Sequence, residues 1–326
     1  MFLIVCDPGD PHGPAVRDAL ARRGLPVRLV DLAELPARAT VAVRAAVRGG
    51  DTAPASGLPL DALLSLDGEP PLNLAEVRGV WWRRPRALSA HEDLWRPSHR
   101  EFALVQWQET LAALWDALPV RWVNHPARGD AADRKPLQLA VAAACGLRVP
   151  RTVVTNDPAE ARAFADAIGG PGRAVYKHLR AVPGVGRETQ RLDREALARL
   201  DQVRYAPVIL QEYVPGDLDL RVTVAGDAVF AAAIDARESA YPLDWRVDFD
   251  RARVSAAELP EDIGRGLRAV LERLGLLYGA FDLRRTPEGE HVFLEVNPFG
   301  RWTFVELRTG QPITDAVVDA LVGEGR

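Results

Sequence analysis

The stretch Leu294-Glu295-Val296-Asn297-Pro298 alternates apolar side chains with side chains that carry oxygen atoms. Residues two apart on a strand face the same side of a sheet, so Glu295 and Asn297 are predicted to share a face. The apolar segment before it carries Asp282, and the turn at Thr286-Pro287-Glu288-Gly289 predicts antiparallel pairing that brings Asp282 beside them. Carboxylate and amide oxygens suit Mg²⁺ in a site completed by phosphate oxygens. The alternative to a metal site is that these side chains lie on a solvent-exposed face of the hairpin.

Lysine is scarce in this chain, because only Lys135 and Lys177 accompany 39 arginines among the 41 basic residues. An ammonium on a thin stem reaches a phosphate oxygen in a crowded pocket more easily than a wider, forked guanidinium does. Each lysine is therefore a candidate phosphate ligand. A compositional preference for arginine explains why lysines are few, but it does not explain why the two that remain flank one apparent domain junction.

Composition narrows the class of protein. The chain has 326 residues, 48% of them hydrophobic, which is enough for two or three units with sizeable cores. Cys6 and Cys145 match no metal-ligand spacing and are interpreted as buried, reduced thiols. The sequence contains neither a membrane-length apolar run nor a signal-peptide start, so a cytoplasmic location without a membrane partner is expected. A net charge of −4 gives no general reason to bind nucleic acid.

The order of apolar segments predicts an α/β protein. Phe2–Cys6, Ala15–Arg23 and Val27–Val30 read as a β-α-β opening. Further along, one helix is predicted over Pro97–Leu118 and another over Asp130–Cys145. We therefore expect an N-terminal domain at 1–125 and a second domain at 126–326. The second domain would divide into a smaller lid-like part near 150–212 and a C-terminal lobe near 213–326.

These motifs resemble those of the ATP-grasp ligases, whose signature is similar to residues 294–298 and whose metal triad matches Asp282, Glu295 and Asn297. The resemblance implies an ATP-grasp fold behind an N-terminal α/β pre-ATP-grasp domain, with ATP and two Mg²⁺ ions bound. The nucleotide-binding residues that it implies are Lys135, Lys177, Gly184 and Gly186 in a phosphate-covering loop, Gln211, Glu212, Tyr213 and Val214 in an adenine-reading hinge, and Asp219 on the ribose. The catalytic residues that it implies are Arg221 at the phosphates, and Arg237 and Arg246 at a substrate carboxylate or the transferred phosphoryl group.

Several of these residues also have a purely structural interpretation. Asp219 and Arg221 could form an ordinary ion pair on a strand face. Arg237 and Arg246 could be ordinary exposed arginines in an arginine-rich chain, and a loop with the composition of residues 178–189 is common at protein surfaces.

A narrower resemblance, to the microviridin-type peptide maturases, covers nearly the whole chain. It rests on motifs in both predicted domains: Trp81-Trp82-Arg83-Arg84-Pro85, Asp244-Trp245-Arg246, Asn297-Pro298-Phe299-Gly300-Arg301-Trp302, Glu306 and Thr309-Gly310-Gln311-Pro312-Ile313. It implies macrocyclisation of a ribosomally made precursor peptide with a leader segment, and a homodimer. Alone, the first motif could be a strand whose tryptophans alternate between the core and a neighbouring helix.

Two other functions stay open at this point. A free-standing ATP-grasp ligase that joins an amine or amino acid to a small molecule or protein C-terminus would share every nucleotide residue. The tryptophan–arginine motif of the first domain is what favours the peptide maturase. A non-catalytic nucleotide sensor is disfavoured, because it need not retain both lysines and a full set of metal ligands.

Overall fold

The structure is a computed structural model that describes residues 1–45, 60–180, 189–216, 218–235 and 252–323. The described elements of the N-terminal part are, in chain order, β1 (Phe2–Cys6), α1 (His12–Arg22), β2 (Val27–Val30), α2 (Leu35–Arg38), β3 (Ala39–Ala45), β4 (Leu60–Leu66), β5 (Leu72–Asn73), β6 (Gly79–Arg83), α3 (Pro97–Ala117) and β7 (Arg121–Val123). Strands β2-β1-β6-β7 form a parallel sheet, and β3-β4-β5 form a small antiparallel one. The predicted β-α-β opening is confirmed.

The middle of the chain contributes helices and one four-stranded sheet, which is called the lid-like sheet below. Its described elements are α4 (Pro126–Ala132), α5 (Lys135–Ala144), β8 (Thr152–Thr155), α6 (Pro158–Ala167), β9 (Ala174–Lys177), β10 (Gln190–Arg191), α7 (Arg194–Ala198) and β11 (Val208–Glu212). The four strands pair antiparallel in the order β10-β9-β11-β8. Helix α6 begins where the side chain of Asp157 accepts a hydrogen bond from the Ala159 amide at 2.9 Å.

The single helix predicted over Asp130–Cys145 is wrong, because the structure has two. Asp133 ends α4, and α5 begins at Lys135 with Pro136 in its first turn. Proline has no amide hydrogen and clashes with the carbonyl of the preceding turn, so it is disfavoured inside a helix and well tolerated in the first turn of a new one. The break leaves Lys135 as the first residue of a new helix.

The C-terminal lobe is built on an antiparallel sheet. Its described elements are β12 (Leu218–Ala225), β13 (Ala228–Asp235), β14 (Arg253–Ala257), α8 (Glu261–Leu274), β15 (Tyr278–Arg285), β16 (His291–Asn297), α9 (Thr303–Thr309) and α10 (Ile313–Val322). The strand order is β14-β13-β12-β15-β16. In the described ranges no helix is both long enough and apolar enough to cross a membrane.

The last helix packs against the parallel sheet β2-β1-β6-β7, which is called the first sheet below. Helix α10 packs on α1, β6 and β7, and its apolar side chains share one buried cluster with Ile4 and Trp81. At Gly79 a Cβ atom would lie 3.1 Å from Leu321 of this helix, so glycine permits the close approach. The division at residue 125 stays a prediction, and the end of the chain contributes to the core of the first sheet.

Gln138 holds the outer edge of strand β16. This residue is 1% exposed; its amide nitrogen donates to the carbonyls of Ala132 (2.7 Å) and Val296 (2.8 Å), and its oxygen accepts from the Val296 amide (3.1 Å). An edge strand has unpaired backbone groups, and buried ones need partners. The side chain therefore fixes β16 against α4 and α5.

We expect Gln138→Leu to lower the free energy of unfolding by about 3 kcal/mol, because the substitution leaves buried backbone groups of Val296 and Ala132 without partners. Urea unfolding followed by circular dichroism measures the change. Gln106→Leu, on the exposed face of α3, is the matched control and should be nearly neutral. A similar loss for both variants would contradict the role assigned to Gln138.

Candidate functional site

The predicted oxygen ligands lie on two neighbouring strands. Asp282 of β15 is directly opposite Glu295 of β16, and Asn297 lies two residues further along the same face. On the other side of β15, Asp282 is opposite Arg221 of β12. Arg221, Asp282 and Glu295 thus form one row across three strands, as the spacing in the sequence predicted for the two carboxylates.

Each carboxylate in this row has a cationic partner. The Lys135 ammonium donates to Glu295, and the Arg221 guanidinium donates to Asp282 at 2.7 Å. Arg221 and Asp282 are both buried, so this ion pair is desolvated. Nearby, burial raises the pKa of Asp133, opposed by the charge of Lys135 and reinforced by that of Glu295. Each carboxylate of the row is thus matched by one cation from a neighbouring element.

The donor set fits a magnesium ion. Asp282 and Glu295 offer carboxylate oxygens, and the side-chain oxygen of Asn297 accepts one hydrogen bond, from the Phe299 amide at 3.0 Å. An amide oxygen has two lone pairs, so Asn297 retains one for a cation. Two carboxylates and an amide on one face are hard oxygen donors of the kind that Mg²⁺ selects.

The second lysine lies on the lid-like sheet. Lys177 ends β9 and donates to the side-chain oxygen of Gln211 at 2.8 Å. The Gln211 amide in turn donates to the Thr152 hydroxyl at 2.9 Å. The three residues lie on β9, β11 and β8, so the hydrogen bonds run across the sheet and orient the Lys177 side chain.

The predicted hinge, residues 211–214, begins with the last two residues of strand β11. Gln211 points its side chain at Lys177 and is 3% exposed, while Glu212 accepts a hydrogen bond from the Arg151 amide at 3.2 Å. The Tyr213 ring lies 3.6 Å from the Arg191 guanidinium. Glu212, Tyr213 and Val214 line a cleft of about 660 Å³ that also reaches the β15–β16 turn. An adenine-reading role for these residues stays a prediction.

Asp219 and Arg221 do not pair with each other. Both oxygens of Asp219 accept from Arg284, at 2.8 and 2.9 Å, whereas Arg221 pairs with Asp282. Asp219 lies opposite Arg284 in the β12–β15 register, which explains the pairing. A role for Asp219 at a ribose stays a prediction.

Four predicted residues lie outside the described part of the chain. They are Gly184, Gly186, Arg237 and Arg246. The motif Asp244-Trp245-Arg246 lies outside it as well, so the roles inferred for these residues stay predictions.

The structure adds residues to the site from the first sheet. Arg83, at the end of β6, is 1% exposed and donates to Asp10 (3.1 Å) and to the carbonyls of Phe299 (2.8 Å) and Gly300 (2.7 Å). Its guanidinium lies 5.3 Å from the centre of the Trp302 ring. The motif around Arg83 was visible in the sequence, but its contact with the loop after β16 was not.

His12 holds the same loop through a neutral ring. Its Nε2 atom accepts from the amides of Trp302 (3.1 Å) and Thr303 (3.3 Å), so Nδ1 carries the hydrogen that faces Asp10 at 2.5 Å. Burial lowers the pKa of His12, partly opposed by the hydrogen bond to Asp10. Burial disfavours the charged form of Asp10, but the hydrogen bond from His12 and the charge of Arg83 hold the pKa of Asp10 below its usual range. His12 therefore acts as a structural acceptor.

This pKa shift predicts a pH dependence of stability. Because the folded protein disfavours protonation of His12, the unfolded chain binds the proton more readily, and stability is lost as the pH falls from about 7 to about 5. We expect His12→Gln to show a shallower decline in melting temperature over this range than the unmodified protein. His99→Gln, at an exposed position on α3, should keep the original slope. Equal slopes for all three proteins would contradict the assignment.

Solved structures resemble this chain along its whole length. The crystal structure of macrocyclase MdnB from Microcystis aeruginosa MRC is 30% identical, with a TM-score of 0.77, and the match covers 98% of each chain. Macrocyclase MdnC from Microcystis aeruginosa MRC, bound with precursor peptide MdnA, is 28% identical, with a TM-score of 0.82 over 99% of each chain. The ATP-grasp ligase PsnB, complexed with a phosphomimetic variant of its minimal precursor, Mg and ADP, is 26% identical, with a TM-score of 0.75 over 99% of this chain and 97% of that one.

No protein-family model and no curated protein matches the sequence. The similarity to the three structures therefore rests on the shared fold and on sequence identities of 26 to 30%.

Proposed function

This chain belongs to the graspetide-type ATP-grasp maturases of ribosomal peptides, and from that premise we propose that it uses ATP to close ester or amide rings within a precursor peptide. The observation that carries the proposal is the match to a macrocyclase at 30% identity over 98% of both chains. The first-sheet motif around Arg83, which favoured a peptide maturase over a free-standing ligase, contributes to the same site.

The reaction has two steps. An oxygen of a peptide Asp or Glu carboxylate attacks the γ-phosphorus of ATP, and ADP leaves with the electrons of the broken P–O bond. A Ser or Thr hydroxyl, or a Lys amine, of the same peptide then attacks the acyl carbon, loses its proton and releases phosphate. Such chemistry depends mainly on positioning and charge neutralisation, which lysines and arginines supply.

We propose that Asp282, Glu295 and Asn297 hold magnesium, and that two ions bind. When bound, magnesium would neutralise phosphate charge, and two ions are common at sites of phosphoryl transfer. The side chains of Lys135 and Arg221 hold the two carboxylates in place. The positive charges of Lys135 and Arg221 would then also attract the phosphate groups of ATP.

The nucleotide is proposed to lie between the lid-like sheet and the C-terminal lobe. Lys177 would contact phosphate from β9, supported by its fixed contact with Gln211. The segment 211–214 would read the adenine and Asp219 the ribose, with Gly184 and Gly186 over the phosphates. Arg221 would face the phosphates, and Arg237 and Arg246 would hold a carboxylate or the transferred phosphoryl group.

Assembly and location are part of the proposal. A homodimer is proposed from the family resemblance, and light scattering after gel filtration tests it.

A cytoplasmic location is supported by the need for ATP and by free Cys6 and Cys145, because reduced thiols are typical of that compartment.

Mass spectrometry of a peptide encoded beside this gene tests the function. After incubation with the protein, ATP and magnesium, the peptide should lose one water mass for each bond formed. An unchanged peptide, combined with ATP hydrolysis that a small amine or amino acid stimulates, would instead identify a free-standing ligase. An unchanged peptide with no ATP turnover would favour a nucleotide sensor.

We expect Glu295→Gln to fold normally and to lower peptide-dependent ADP release by about 100-fold, because it removes a charged metal donor while keeping the shape of the side chain. A coupled assay for ADP measures the rate. Glu272→Gln, at an exposed position on α8 of the same lobe, is the control and should retain full activity. Near-normal ADP release by Glu295→Gln would reject its role as a ligand.

A further inference from the structure

The tripeptide Asp-Leu-Arg occurs on two neighbouring strands of the C-terminal sheet, at 219–221 on β12 and at 282–284 on β15. The strands run antiparallel, and their register places Leu220 opposite Leu283. Each aspartate therefore lies opposite the arginine of the other copy, which gives two ion pairs, Arg221–Asp282 and Arg284–Asp219. The row of metal ligands accounts for the first pair but not for the second.

The second pair is buried and has a fixed geometry. Arg284 donates to one oxygen of Asp219 from Nε at 2.8 Å and to the other from Nη2 at 2.9 Å. The two side chains are only 11% and 10% exposed. Such a paired contact fixes the orientation of a carboxylate. An ionised carboxylate has about four acceptor positions, so the contact with Arg284 leaves about two of them for a ligand.

Arg284 also contacts the chain where it leaves the predicted hinge. Its Nη1 atom donates to the carbonyl of Val214 at 3.4 Å. Its aliphatic stem lies against Gly216, where a Cβ atom would be 2.4 Å from Cγ of Arg284. Glycine therefore leaves the space that the stem occupies. Through these contacts Arg284 holds Asp219 in a fixed position relative to the hinge.

Asp219 lies between the row of metal ligands and the hinge. It precedes Arg221 by two residues on the same face of β12, which corresponds to about 7 Å along a strand. In the arrangement proposed above, the phosphates lie at the metal ligands and the adenine at the hinge, so the ribose lies between them. A ribose carries two neighbouring hydroxyl groups, and these two donors match the two acceptor positions that remain on Asp219.

We propose that Arg284 is a positioning residue for the ribose. By holding Asp219, it directs the remaining acceptor positions toward the 2′ and 3′ hydroxyl groups and so sets the preference for a nucleotide that carries both. The assignment rests on the function proposed above, which places Asp219 at the ribose. Arg284 acts through this carboxylate and not through a contact of its own with the nucleotide. Lysine at this position would keep the charge but would lack the two parallel donors.

The test compares the dissociation constants of ADP and 2′,3′-dideoxy-ADP, measured by calorimetry with magnesium and without peptide. The unmodified protein should prefer ADP by at least about tenfold, because hydrogen bonds to a charged acceptor are lost with the hydroxyl groups. In Arg284→Lys this preference should fall to about twofold, because the carboxylate is no longer held by paired donors. Arg265→Gln, an exposed arginine of α8, should keep the full preference. If Arg284→Lys weakens both nucleotides equally and keeps the preference, the proposal is overturned.

Two further variants show whether Arg284 acts through Asp219. Arg284→Lys combined with Asp219→Asn should have the same nucleotide preference as Asp219→Asn alone, because residues that act as one unit are not additive. If either single variant fails to fold, Asp219→Leu combined with Arg284→Leu should still fold, since it removes both charges of a buried pair together. This double variant should bind the two nucleotides with equal affinity. A preference for ADP that survives in it would overturn the proposal.

Mass spectrometry of the precursor peptide separates this proposal from the proposed function. Ring closure together with an unchanged nucleotide preference in Arg284→Lys would overturn the positioning role alone. The expected preferences without ring closure would reject the proposed function and retain the positioning role. An unmodified protein that binds neither nucleotide would overturn both.

Discussion

The loop that follows β16 must satisfy its buried backbone without the help of a sheet, and the arrangement of the site depends on how it does so. Asn124 donates to the carbonyls of Tyr278 and Pro298, both at 2.8 Å, and its oxygen accepts from the Tyr278 amide at 3.1 Å. Arg83 and His12 provide partners for the rest of the loop. Buried backbone groups without partners are costly, so these side chains are structural requirements. All three come from the first 125 residues, and the loop after the strand that carries Glu295 and Asn297 is therefore held by the N-terminal part of the chain.

Charge pairing is the second organising feature of the site. Buried carboxylates of the C-terminal sheet each face a cation, as in the pairs Arg221–Asp282 and Arg284–Asp219. A buried ion pair contributes little net stability, because desolvation offsets the attraction between its charges. Such pairs do fix geometry, and they keep cations in place for an anionic ligand. The use of lysine where a thin stem is needed and arginine elsewhere is consistent with this division of roles.

The tryptophan–arginine motif combines two interpretations that the sequence left as alternatives. Trp81 is a core residue, 2% exposed and in edge contact with Trp302 at 5.8 Å, as the strand interpretation predicted. Arg83, two residues later on the same face, extends that contact to the loop after β16. One alternating strand thus builds the core and reaches the site, and Trp302 receives both contacts.

The sequence by itself determined the β-α-β opening, the β15–β16 hairpin and the common face of Asp282 and Glu295, because strand alternation and turn composition are local properties. It did not determine the break between α4 and α5, where one proline outweighs a helical apolar pattern. Only the tertiary structure decided that Arg83, His12 and Asn124 serve the site, because these contacts join residues more than 150 positions apart and depend on how two sheets are packed. Local patterns specify which face a side chain occupies, whereas the partner that it meets there depends on the packing of distant elements.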